Sequence, residues 1–75
     1  MTDWRLHIDF DKEVRFGKPI IKGTRIAVSD ILKLLASGMS YDEILADYPL
    51  LKHDHILAAL AFSADRDINI KTIAA

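Results

Sequence analysis

A chain of 75 residues without a single cysteine has few ways to hold itself together. A domain of this size buries only about 60 % of the surface its unfolded chain exposes, so its core leaves a thin stability margin. Small folds usually add disulfides, a metal or a partner. The missing cysteines exclude the first and take thiolate metal sites with them. The three histidines are His7, His53 and His55, and the last two stand at a spacing that does not share one helix face. Neither a zinc site nor any other cofactor is expected, which leaves the partner. The apolar fraction of 51 % sits at the upper edge of the ordinary ~45–50 %. Part of it is alanine. The rest exceeds what so small an interior holds, and leftover apolar surface marks a protein–protein interface.

Charge points the same way. The net charge of -1 argues neither for nor against nucleic acid, but its distribution is uneven. Lys12, Arg15, Lys18, Lys22, Arg25 and Lys33 face only Glu13 and Asp30 in the stretch from Lys12 to Lys33. Asp42, Glu43, Asp47, Asp54, Asp65 and Asp67 follow, so the folded object has a basic end and an acidic end. The opening Met-Thr-Asp-Trp-Arg lacks the basic stretch and apolar run of a signal peptide. No apolar segment approaches the ~20 residues of a membrane span. Cytoplasmic localisation is the expectation.

The chain reads as one domain, 1–75, in three parts. Residues 6–28 are expected to be extended, as short strands or a loose hairpin. Leu6, Ile8 and Phe10 alternate with polar residues at the period of a half-buried strand, and Lys22-Gly23-Thr24 is a turn candidate. Residues 29–66 hold three helices. Ser29 is the expected N-cap of the first, with Asp30 in its first turn and Gly38 as its stop; Ile31, Leu32, Leu34 and Leu35 form its apolar face. Ser40 and Glu43 stand at capping-box spacing for the second, flanked by Met39 and Ile44 as a hydrophobic staple. Its buried face is Tyr41, Ile44, Leu45 and Tyr48, and Pro49 ends it. A third helix is expected from about His53 to Asp65, with Ile56, Ala59, Leu60, Phe62 and Ser63 inward and Lys52 a poor cap. Residues 67–75 form a tail or strand. The fold class is therefore mainly α: a three-helix, helix-turn-helix bundle preceded by short N-terminal β-strands.

Enzyme chemistry finds no footing. Gly17-Lys18 and Gly23-Thr24 lack the Gly-Lys-Ser/Thr ending of a phosphate loop. Asp9, Asp11 and Glu13 lack the glycine and distal glutamate of a calcium loop. Ser29, Ser37 and Ser40 are accounted for by helix ends, and so short a chain has little room for a small-molecule pocket.

The run GKPIIKGTRIAVSDILKLLASGMSYDEILADYPLL, from Gly17 to Leu51, resembles the domain-of-unknown-function family 433. Gly17, Lys18, Pro19, Ile21, Gly23, Thr24, Arg25 and Ile26 match the first part of the family pattern. Gly38, Ser40, Glu43, Ile44, Leu45, Asp47, Tyr48 and Pro49 match the second, and Ile56, Ala58, Ala59 and Leu60 continue it. Two positions depart. Lys52-His53 stands where relatives often have Thr-Pro or Ser-x, and His55 stands where they often have an acidic residue. The resemblance implies a homeodomain-like helix-turn-helix fold and the role of antitoxin to a PIN-like ribonuclease toxin in a bacterial type II toxin–antitoxin system.

Two macromolecular partners compete. For operator DNA, read by a dimer that autoregulates its operon, the candidate contacts are Lys18, Lys22, Arg25, Lys52, His53 and His55. As a reading head the start of the third helix is poor, because Asp54 lies among its contacts, its histidines are mostly neutral at pH 7, and Asp42, Glu43 and Asp47 on the second helix repel phosphates. For the toxin, whose family implies an acidic, metal-binding active site, the candidates are Phe62, Arg66, Ile68, Ile70, Lys71 and Ile73. The expected function is an antitoxin-like binding module. A DNA-binding regulator without a toxin and a structural dimerisation module are the alternatives.

Overall fold

The computed structural model describes residues 3–74, with side chains described through Asp65. A 3-10 turn at Trp4–Leu6 precedes strand β1 (Ile8–Phe10), which pairs antiparallel with β2 (Pro19–Ile21) in the register Ile8 to Ile21 and Phe10 to Pro19. Helices α1 (Val28–Ala36), α2 (Tyr41–Asp47) and α3 (His53–Ala74) follow. Three helices behind a two-stranded sheet is the fold class read from the sequence.

The turn after β2 forms where glycine and threonine place it. Gly23 takes a left-handed φ of 77°, a conformation open to glycine at no steric cost. The Thr24 hydroxyl donates to the Ile21 carbonyl at 2.8 Å and accepts the Ile26 N–H at 3.0 Å. Much of the Gly-Thr-Arg-Ile match is thus turn geometry.

Helix α1 starts one residue before the expected cap. Ala27, not Ser29, occupies the N-cap position, and the Asp30 carboxylate accepts the Ala27 N–H at 3.0 Å. The reason is burial: Ala27 bridges to Ile20 of β2, and both Ala27 and Val28 are in the core, so the entry point follows the sheet. The far end follows the sequence. Gly38 adopts φ 97°, its N–H bonds the Leu35 carbonyl at 3.0 Å, and Met39 N–H bonds that of Leu34 at 3.2 Å, the pattern of a Schellman stop.

Helix α2 has both arms of its capping box: Glu43 N–H to Ser40 Oγ at 3.2 Å, and Ser40 N–H to Glu43 Oε1 at 2.9 Å. These bonds hold the Glu43 carboxyl below its ordinary range. Ile44 is fully buried and Met39 packs against the same core. Tyr48 departs from the expected buried face and is exposed, because it is the C-cap residue, with φ -125° and ψ 82° ahead of Pro49.

One isoleucine from β2 and one from each helix, Ile21, Ile31, Ile44 and Ile56, are the largest fully buried side chains. Each contributes about 1.5–3 kcal/mol of burial. Of the alternating set in β1 only Ile8 is inside; Leu6 and Phe10 are exposed, since β1 is three residues long and Leu6 belongs to the preceding 3-10 turn. Trp4 in that turn reaches α3 instead: its indole N–H donates to Asp65 Oδ2 at 2.6 Å, and its ring meets Phe62 edge-on at 4.8 Å.

The expected end of the third helix near Asp65 is also corrected. The helical backbone continues to Ala74, so 67–74 is helix rather than a strand or loose tail. The stretch Ser63–Ala74 contains neither glycine nor proline, and nothing local stops the helix. Among the described residues no helix is long and apolar enough to cross a membrane.

Candidate functional site

The DNA candidates divide into three places. Lys22 donates its N–H to the His7 carbonyl at 2.9 Å, and the His7 ring meets His55 at 5.4 Å, so Lys22 lies near the start of α3 with Lys52. Lys18 precedes β2 at the opposite end of the ladder. Arg25 lies beyond the turn, between β2 and α1. The structure therefore gathers no single basic patch from these six residues.

His55 has a structural task. Its Nδ1 accepts the Lys52 N–H at 2.9 Å, taking the place of the cap that Lys52 lacks. Burial, and after it the neighbouring His7 and Lys52, push its pKa below the ordinary histidine value, opposed only by Asp54. A neutral imidazole with Nδ1 engaged has no positive charge for a phosphate. His53 is exposed, with its ring 5.3 Å from Tyr41. Leu57, on the following turn, is half-buried.

Among the toxin candidates, Phe62 is corrected. It is only 5 % exposed, packed between Trp4 and Phe10 at ring distances of 4.8 and 5.9 Å, and is a core residue. Helical spacing alone does not separate a core aromatic from an interface one. Arg66, Ile68, Ile70, Lys71 and Ile73 lie on the α3 backbone outside the described side chains.

The structure assembles a face that periodicity did not indicate. Two adjoining clefts share Arg25 and Ile26. One, of about 340 Å³, is walled by Arg15, Asp30, Lys33, Leu34 and Tyr48. The other is walled by Asp9, Asp11, Val14, Ile20, the Gly23-Thr24 turn and Leu50. The Gly-Thr-Arg-Ile and Asp-Tyr-Pro-Leu segments, far apart in sequence, thus meet. Arg15 braces the first cleft. One guanidinium nitrogen donates to Asp30 Oδ2 at 2.8 Å and to the Arg25 carbonyl at 3.0 Å; the second reaches Asp30 Oδ1 at 3.4 Å. That bond holds the Asp30 carboxyl below its ordinary value, despite the opposing effect of burial, and raises the Arg15 pKa.

Beside this brace the backbone turns left-handed. Arg15, Phe16 and Gly17 have φ of 53°, 60° and 78°, and the Phe16 side chain is 97 % exposed. A left-handed L-residue costs roughly 1–2 kcal/mol, and a bulky one there is an outlier. Leu50 is also exposed, at 68 %. The sequence signal was present in both: Phe16 and Leu50 are large apolar residues that fit no helical or strand period. Among the described residues no group of three metal-ligating side chains converges.

A two-stranded hairpin capping three helices, with two motif segments meeting in a cleft, defines a small mainly helical domain. Residues 8–63 match the family described as protein of unknown function (DUF433), and the chain belongs to that family. Among solved structures, a DUF433 member protein from Anabaena variabilis is similar, at 28 % identity and a TM-score of 0.76. The match covers 87 % of this chain and 64 % of that one, so this chain spans under two thirds of that protein's length. No curated protein matches the sequence.

Proposed function

We propose that this chain is an antitoxin-like binding module of a bacterial type II toxin–antitoxin system, with a PIN-like ribonuclease toxin as partner. The observation that carries the reading is the exposure of large apolar side chains, Phe16 and Leu50 foremost, beside an exposed arginine on a domain of 75 residues. Water solvates such side chains poorly, and a protein surface is the natural cover for them. Arg66, Ile68, Ile70, Lys71 and Ile73 stay in the proposal from their sequence alone. The test is co-expression with the product of the neighbouring gene. A stable complex in which that product loses ribonuclease activity is the expected result; two proteins that elute apart, with activity intact, would end the reading.

Autoregulation by operator DNA is the second reading, favoured by the nearness of Lys22 and Lys52 at the start of α3. It ranks lower because Asp42, Asp47 and Asp54 are exposed on α2 and early α3 and would repel phosphates. A dimer presenting two copies of the basic segment would strengthen it. Retardation of the chain's own promoter DNA that weakens steeply with salt is the outcome it requires.

A further inference from the structure

We infer that the cleft around Arg25, together with the Phe16 turn braced to it by Arg15, is the docking surface, and that it takes an acidic protein segment carrying an apolar side chain. This rests on the reading of the chain as a protein-binding module and names where and what it binds.

Two independent observations converge. The first is charge. The cleft is lined by three cations, Arg15, Arg25 and Lys33, against one anion, Asp30, which Arg15 already occupies. Among the described residues no side-chain hydrogen bond or ion pair engages the Arg25 guanidinium. A planar fork of donors in a cleft also lined by Ile26, Leu34 and Tyr48 suits a carboxylate whose neighbours are apolar. A nucleic acid fits less well. The adjoining cleft carries Asp9 and Asp11, and a phosphate backbone, charged at every step, would meet both as it crossed Arg25, whereas a protein segment can place its carboxylate at Arg25 and an uncharged side chain beyond it.

The second is strain. Phe16 stands in solvent in a left-handed backbone, with no packing of its own to justify the conformation. The same Arg15 that lines the cleft holds the turn through Asp30 and the Arg25 carbonyl. An exposed aromatic kept in a costly, fixed geometry is preorganised to enter a pocket, the usual form of an interface anchor. Arg15 therefore couples the aromatic anchor to the cationic cleft.

The test uses the full chain and two variants, Arg25→Glu and Phe16→Gly, both at exposed positions and each checked for its melting temperature. Three probes are titrated by NMR: a short peptide alternating glutamate and phenylalanine, the same peptide with lysine for glutamate, and a random-sequence DNA duplex. The acidic peptide is expected to shift the amides of Arg25, Lys33, Leu34 and Tyr48, and each variant to weaken it about tenfold or more. Shifts elsewhere, none at all, or a stronger response of these amides to the duplex overturns the inference. The product of the neighbouring gene is then added. If it binds the wild type and both variants equally, the surface assigned here is wrong while the antitoxin reading survives. If it fails to bind while the acidic peptide engages the cleft, the antitoxin reading falls and the docking surface stands.

Discussion

Residues whose ordinary behaviour is altered by one neighbour give the clearest tests. His55 accepts a backbone N–H at the start of α3, which only the unprotonated Nδ1 can do. Its folded pKa is depressed below that of the unfolded chain, chiefly by burial. In that window the unfolded state binds more protons, so stability falls as the pH falls. The contribution is fully present above about pH 6.5 and is lost through the folded pKa below it. His55→Gln retains an acceptor at the same position and removes the titration. Urea midpoints measured from pH 7.5 down to 5 should therefore fall less in His55→Gln than in the wild type; parallel curves would deny His55 this role. Phe16→Gly is the second test at this scale. It loses no packing and relieves a left-handed φ, offset by glycine's greater unfolded entropy. Its unfolding free energy should equal that of the wild type or exceed it by up to ~1 kcal/mol, read as an unchanged or higher melting temperature, and a marked drop would mean that Phe16 is packed.

Individual elements show how far local chemistry reaches. Helix α2 is written almost completely in its own sequence. Ser40 and Glu43 exchange capping bonds, Met39 and Ile44 pack across the entry, and Pro49 closes the exit. Ser40→Ala should cost about 1 kcal/mol, read as a lower chemical-denaturation midpoint with an unchanged slope. No loss would mean that packing alone holds the seven-residue helix. Helices α1 and α3 are less local. The best capping residue near α1, Ser29, loses its place because Ala27 is needed against β2. In α3 the weak start at Lys52 is rescued by a side chain three positions on, and the helix outlasts its apolar stripe for want of a stop.

At the scale of the whole molecule, stability rests on a narrow base. The isoleucines from β2 and the three helices form one cluster, so removing any of them weakens every element at once. Ile44→Ala should cost about 2–5 kcal/mol, a large share of the ~5–15 kcal/mol typical of a domain. Circular dichroism melting should show α1, α2 and α3 lost together, in one transition at lower temperature. Loss of α2 alone would mean that the cluster is divisible. A partner that binds only the folded chain raises its apparent stability by mass action, the route that the missing cysteines leave open.

The sequence by itself determined the family, the order of strands and helices, the Schellman stop at Gly38, the capping box of α2 and the turn at Gly23. Each depends on residues within a few positions of one another, where spacing and geometry are the same thing. Only the tertiary structure decided that Tyr48 and Phe16 are outside, that Trp4 bonds Asp65, and that Arg25, Lys33 and Tyr48 share a cleft braced by Arg15 and Asp30. Those facts join residues distant in the chain. Hydrophobicity reports that a side chain avoids water, and charge reports that it seeks a counterion, but neither says which distant surface will supply them.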